Sequence, residues 1–247
     1  FSFKNSDADL KTIGEALGAD VILEGSVRTA GDRVRITAQL VDAEDGFHRW
    51  SETYDRELGD IFAIQTEIAT AIADALRVSL SSEERERLAT PPTQNLAAYE
   101  AYLLGKQRMR RRNIIALAEA VEYFHQAIEL DPGFALAYIG LADGYLLQAF
   151  LAGAPREETL AKARAATDKA LELDDRLGEA YNSLGNIGYF RNDYEAAEAA
   201  YQSGLELNPN YATAYYWYGD LLFDSLGRPE EALVLHRKAL ALRSEEH

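Results

Sequence analysis

Three nearly identical tetrapeptides stop in the same way. Ala127-Ile128-Glu129-Leu130 runs into Asp131-Pro132, Ala170-Leu171-Glu172-Leu173 into Asp174-Asp175, and Gly204-Leu205-Glu206-Leu207 into Asn208-Pro209. A short Ala- or Glu-containing entry with a tyrosine follows each stop, at Tyr138, Tyr181 and Tyr215. A similar stretch, Ala239-Leu240-Ala241-Leu242, occurs near residue 244. Recurrence at a fixed period constrains a fold more than any single residue, because each unit can bury its apolar face only against the next. Positions 175 and 209 are 34 residues apart, and Ser244 follows 35 after Pro209. The 43 residues from Pro132 to Asp175 place an insertion of about nine in the second unit, around Ala149–Glu158 with Gly153 and Pro155. The first unit carries about three extra residues near Arg110–Asn113.

The spaced residues inside each unit are specific. The first has Leu104, Gly105, Ala120, Phe124, Ala127 and Pro132. The second has Tyr138, Leu141, Ala142, Tyr145, Ala163 and Ala170. The third has Tyr181, Leu184, Gly185, Ala197, Tyr201, Gly204 and Pro209, and the fourth has Tyr215, Tyr218, Gly219, Ala232, His236 and Ala239. Gly and Ala let two helices approach closely, an aromatic ring fills the space between them, and Pro ends the unit. This pattern resembles the tetratricopeptide (TPR) repeat, which implies an all-α solenoid of four helical hairpins over 96–247, closing at about 132, 175, 209 and 244.

A different period governs the front of the chain. Val34, Ile36, Ala38 and Leu40 alternate with Arg33, Arg35, Thr37 and Gln39, the pattern of a half-buried strand. Val21, Leu23 and Val27 alternate with Ile22, Glu24, Ser26 and Arg28 in a preceding strand. Ala30-Gly31-Asp32 and Glu44-Asp45-Gly46 read as turns, with a third strand over 47–54. A short helix over 9–17 ends at Gly18. Ile61, Ile64, Ile68, Ile72 and Leu76 recur at helical spacing after Asp60, a candidate N-cap. The expectation is an α+β domain at 1–88, an antiparallel three-strand meander with helices, then a linker at 89–95 containing Pro91-Pro92.

Leu23-Glu24-Gly25-Ser26-Val27-Arg28, Arg35-Ile36-Thr37-Ala38-Gln39-Leu40, and Tyr54-Asp55-Arg56 with Asp60-Ile61-Phe62-Ala63-Ile64-Gln65 carry a second resemblance. They are similar to the TolB amino-terminal-like domain, although Arg49 stands where that family often has Leu and Thr66 where it often has Asp. The resemblance covers about residues 1–80. It implies a bacterial regulatory protein in which such a domain precedes TPR repeats, behind an adenylate cyclase, a winged-helix regulator or a protein kinase. It also implies a strand-helix-strand segment ahead of Phe1, whose absence leaves a sheet edge open or an apolar face uncovered. Phe1 reads as the start of an excised fragment, with a mature processed product as the alternative.

Charge and composition narrow the function. The net charge of -16 is shared by both parts, with 10 basic and 18 acidic residues over 1–90 and 15 and 23 over 91–247. Each part therefore repels nucleic acid and anionic membrane, and neither is expected as a direct partner. With no Cys there is no disulfide framework and no thiolate chemistry. No apolar stretch reaches transmembrane length. A cytoplasmic location is the expectation, with the periplasmic domain of a membrane-anchored regulator as the alternative. No phosphate-cradling loop, metalloprotease helix or nucleophile elbow occurs. His48, His125, His236 and His247 lack metal-ligand spacing, and His236 takes the aromatic packing place of its unit. The expectation is no catalysis, no cofactor and no metal.

The sites left are surfaces for a protein or peptide. The TPR resemblance implies a groove lined by the first helices: Glu179, Asn182, Asn186 and Tyr189 in the third unit, then Thr213, Tyr216, Asp220 and Phe223 in the fourth. The corresponding Leu136, Ile139, Asp143 and Leu146 are mostly apolar. They suit either a hydrophobic segment or packing beneath the insertion. The Lys clamp of chaperone-binding members is not reproduced, since Asn182 stands where it would start. The basic run Lys106, Arg108, Arg110, Arg111 and Arg112 reads either as a solvated helix end or as a docking patch for an acidic partner. Glu24, Arg28, Arg33, Arg35 and Gln39 form a polar sheet face suited to cross-strand pairing. A homodimer through the sheet edge or the last unit, and a small-molecule sensor, are the alternative readings.

Overall fold

The computed structural model describes residues 10–77, 85, 89–151 and 156–245. It divides into two compact units at Gln94/Asn95. Gly153, Pro155 and His247, singled out above, lie outside the described residues.

In the first unit, α1 (Leu10–Leu17) leads into β1 (Val21–Ala30), β2 (Arg33–Asp42) and β3 (His48–Glu57), an antiparallel meander in the order β1-β2-β3. Gly31 and Gly46 take φ of +62° and +72° in its two turns, a backbone region that a side chain would strain. A bulge at Arg49 shifts the register from Leu40↔Trp50 to Val41↔His48. A 3-10 turn, Leu58–Asp60, precedes α2 (Ile61–Ala75). The Asp60 side chain caps nothing, because that turn already carries the chain into the helix with Asp60 out of extended geometry. Val34, Tyr54 and Ile64 form the core here, with Ile36, Trp50, Ile61 and Ile68 packed around them.

The meander and helix stand as the hydrophobic periods predicted, with one difference. Leu23 and Val27 on β1 are 53% and 65% exposed, although Leu23 pairs with the buried Leu40. The reason is coverage, since α2 packs on β2 and β3. The polar face of the sheet is cross-linked. Asp55 accepts from both Arg33 and Arg35, Glu24 accepts from Gln39 at 3.1 Å, and the Thr37 and Thr53 hydroxyls meet at 3.2 Å.

The second unit is a TPR-like run of helical hairpins: α3 (Leu96–Met109) with α4 (Ile114–Leu130), α5 (Ala135–Leu151) with α6 (Arg156–Leu173), α7 (Gly178–Phe190) with α8 (Tyr194–Leu207), and α9 (Ala212–Asp224) with α10 (Pro229–Glu245). Asn95, Asn113 and Asp193 cap α3, α4 and α8 through side-chain oxygens that accept from Ala98, Ala116 and Ala196. The stops seen in the sequence are built alike. Asp131, Asp174 and Asn208 each accept from the backbone N–H two residues on, so a side chain closes the turn that ends each hairpin. The recurrent tyrosines lock the same turns. The hydroxyls of Tyr138, Tyr181 and Tyr215 donate to the carbonyls of Pro132, Asp175 and Pro209.

Small and aromatic residues mesh as their spacing requires. A Cβ on Gly185 would lie 2.5 Å from the Tyr201 ring, and one on Gly219 would lie 2.4 Å from His236. Phe124 is enclosed on two sides, by Gly105 of its own hairpin and Gly140 of the next. In the second hairpin the aromatic is replaced by Thr167, fully buried and donating to the Ala163 carbonyl. The extra residues of the first unit lie mostly in helix rather than turn. Phe124 is the eleventh residue of α4, whereas Tyr201 is the eighth of α8. The lengthened start of α4 carries the exposed Ile114 and Ile115.

Candidate partner-binding groove

Aligning Gly105, Ala142, Gly185 and Gly219 sets Lys106, Asp143, Asn186 and Asp220 at one equivalent place, a residue further along each first helix. One turn earlier come Tyr102, Ile139, Asn182 and Tyr216. One turn later come Met109, Leu146, Tyr189 and Phe223. Residues three and four apart share a helix face, so these rows form one continuous strip across the hairpins.

The structure sorts the strip by depth. In the fourth hairpin Tyr216 and Phe223 are 43% and 60% exposed, and Thr213 is exposed as well. Tyr216 meets Trp217 edge-on at 5.6 Å and lies 5.7 Å from the His236 ring. Asp220 is held 3.1 Å from His236 Nε2, and burial followed by the Asp224 charge outweighs this pairing, so its carboxyl titrates above the ordinary range. In the third hairpin Tyr189 donates to Asp224 at 3.2 Å, and burial with that carboxylate pushes its hydroxyl up to about 12. Glu179 accepts from Asn208 at 2.9 Å. Asn186 turns inward: its Oδ1 accepts from the buried Tyr201 hydroxyl at 2.6 Å. Asn182 is only 1% exposed, and its Oδ1 has no hydrogen-bond partner.

Two of the second hairpin's three apolar places are core, and Leu136 is half-buried. Ile139 is buried with Ala170 and Ala180, and Leu146 packs with Phe124 and Leu160, so packing between hairpins accounts for both. Asp143 among them accepts from Ser183 at 2.9 Å. Burial raises its carboxyl above the ordinary range, against the pull of Lys106 and the Ser183 hydrogen bond.

The basic run is split three ways. Lys106 lies on the groove strip, and Arg108 pairs with Glu119 at 3.2 Å. Arg110, Arg111 and Arg112 are exposed at the end of the hairpin, where Arg112 takes a φ of +47°.

Two features lay beyond the sequence reading. Tyr211 occupies the place of Phe134 and Leu177, just before a first helix, and therefore looks like a core residue. Burial pushes its hydroxyl well up, and the carboxylates of Asp143 and Glu179 add to the effect, so it stands among the groove's acids. Phe150 stacks on Phe190 at 5.8 Å with Trp217 edge-on to both, joining three hairpins through residues of unrelated spacing. Among the described residues no group of three or more His, Cys, Asp or Glu could hold a metal ion. No described helix is long and apolar enough to cross a membrane.

Stacked hairpins with a strip of first-helix side chains define a TPR-like helical repeat. Residues 185–225 match the family model described as TPR repeat. The chain is 39% identical over 142 residues to "Putative adenylate cyclase 3" of Rhizobium meliloti (strain 1021), covering 58% of this chain and 24% of that protein. It is 33% identical over 92 residues to the Hsp70-Hsp90 organizing protein of Triticum aestivum, covering 37% and 14%. The chain thus spans less than a quarter of the length of either relative. Among solved structures it is similar to the Arabidopsis OM64 TPR domain, with TM-score 0.42, 21% identity, and 51% and 95% of the two chains covered. It is similar also to MamA, with TM-score 0.41, 21% identity, and 77% and 97% covered.

Proposed function

We propose that this chain is a non-catalytic interaction and regulatory module whose groove holds a peptide or protein partner. The observation that carries this reading is the exposure of Tyr216 and Phe223 on the groove strip, beside the fully buried Leu221 and Leu222 of the same helix. Large rings left open on a rigid repeat face suit a partner's apolar side chains, and such rings anchor many interfaces.

Residues 1–88, linked through 89–95, act as a TolB-like domain that couples partner binding to a signalling effector of the same protein. The name of the Rhizobium meliloti relative supports an adenylate cyclase as that effector. The name of the wheat relative, an organizing protein for two chaperones, supports a protein rather than a small molecule as the occupant. The module works in the cytoplasm, where a cyclase finds its nucleotide.

Affinity capture from a lysate of the source cells, with the chain immobilised, tests the reading. Tyr216→Ala with Phe223→Ala is expected to lose the captured partner while keeping the melting temperature. Undiminished capture by that variant removes the groove from the function.

A further inference from the structure

The groove strip of hairpins two to four is rich in hydrogen-bond acceptors. Asp143, Glu179, Asp220 and Asp224 each come from a first helix, and their hydrogen bonds with Ser183, Asn208, His236, Tyr216 and Tyr189 leave carboxylate lone pairs over. A second observation points the same way. Asn182 Oδ1, a turn from Glu179 on the same helix face, is a buried acceptor without a donor. Native structures rarely leave such an atom unsatisfied, and a ligand that brings a donor removes the penalty. Tyr216 and Phe223 stand open beside these acids and offer ring faces to a cation and to its aliphatic stem.

We propose that the groove of hairpins two to four takes an extended segment of a partner protein carrying lysine or arginine side chains. The proposal rests on the groove being the partner-binding surface and names the chemistry of its occupant. Arginine fits best, since its fork reaches two carboxylate oxygens at once while its plane stacks on tyrosine. The groove also has cations of its own, since Lys106 draws on Asp143 and the charge of Arg112 of the first hairpin reaches the Tyr216 hydroxyl. The acids of hairpins three and four lie further along the strip, so they set where the partner's cations dock. An acidic peptide tail meets its own sign of charge there and is repelled.

Fluorescence anisotropy with the whole 247-residue chain tests this. The probes are a fluorescein-labelled Arg-Leu-Ala peptide and the same peptide with glutamine or glutamate in place of arginine. The arginine peptide is expected to bind about tenfold tighter than the glutamine peptide near physiological salt, with affinity falling as salt rises. Asp143→Asn with Glu179→Gln, and separately Asp220→Asn with Asp224→Asn, are each expected to weaken it about tenfold. These replacements keep an acceptor at each place, and circular dichroism melts check that the variants fold. Glu195→Gln with Glu206→Gln removes the same charge from exposed positions of α8 and is expected to change little. Equal binding of the glutamine peptide, an equal loss in the α8 variant, or no binding of the arginine peptide overturns the proposal. If the glutamate peptide binds and Tyr216→Ala abolishes its binding, the cationic occupant is wrong while the groove keeps its role. If, in addition, lysate capture survives the loss of Tyr216 and Phe223, the groove reading fails as well.

Discussion

The hydroxyl of Tyr201 donates to Asn186 Oδ1 over 2.6 Å inside the third hairpin, with Gly185 directly beneath the ring. The bond joins the second helix's packing aromatic to a first-helix residue of the groove strip. Asn186 therefore shapes the floor of the groove from within. Tyr201→Phe leaves a buried acceptor unpaired at a cost of about 1–3 kcal/mol. Thermal melts should show it as a drop of roughly 2–4 °C for each kcal/mol in a chain of this size. An unchanged melting temperature would mean that water replaces the hydroxyl.

Phe124 tests the close packing of neighbouring hairpins. A methyl group on Gly140 would sit 2.4 Å from its ring, and Gly105 blocks the ring's retreat on the other side. Gly140→Ala is expected to destabilise by about 1–3 kcal/mol through overpacking, although alanine is the better helix former. Adding Phe124→Leu should recover part of the loss, and a double-mutant cycle measures how much. Purely additive effects would show that the two residues do not meet.

Asp143 gives a prediction with a definite sign. Burial raises its folded-state carboxyl above the unfolded value, so the native state binds the extra proton. Its contribution to stability is then present at low pH and is lost as pH climbs through the raised value. Asp143→Asn removes that loss and keeps an acceptor for Ser183. The variant should melt a few degrees higher than the parent near neutral pH, by roughly 2–4 °C per kcal/mol relieved, with the gap closing on acidification. A variant that melts lower at neutral pH would show that the charged form is favoured in the fold.

The inter-hairpin tyrosines act locally. Tyr215 donates to the Pro209 carbonyl at 3.1 Å from a part-exposed site. Tyr215→Phe should cost at most about 0.5–1.5 kcal/mol. Hydrogen exchange at the amides of Asn210 and Tyr211 should quicken more than exchange in the helix cores. Uniform protection across the unit would assign the hydroxyl no part in holding the turn.

Much of the fold was legible because its signals are local or periodic. Gly31 and Gly46 mark turns by a backbone need that any context shares, whereas Asp60, read as an N-cap, makes no capping bond because a 3-10 turn carries the chain into the helix. Spacing identified the meshing residues in three hairpins, and failed in the second because Thr167 fills an aromatic's place without being aromatic. The three extra residues of the first unit were countable, but their expected place near Arg110–Asn113 was not where they fell, since one more turn of α4 keeps the same periodicity as a longer loop. The candidate site was legible only as a strip. Its members' depths were not, because Tyr216 and Asn182 hold equivalent places and end 43% and 1% exposed.

The sequence by itself determined the repeat. Asp131, Asp174 and Asn208 close turns through their own backbone neighbours, and Tyr138, Tyr181 and Tyr215 each reach back six residues to do the same. These are short-range bonds that a local pattern can specify. Tertiary structure alone decided which groove side chains a partner could meet. It turned Asn186 inward to Tyr201, left Tyr216 and Phe223 open, and set Tyr211 near Asp143 from another hairpin. Exposure and charge at a point depend on what every neighbouring helix brings there, and that sum forms only once the hairpins have stacked.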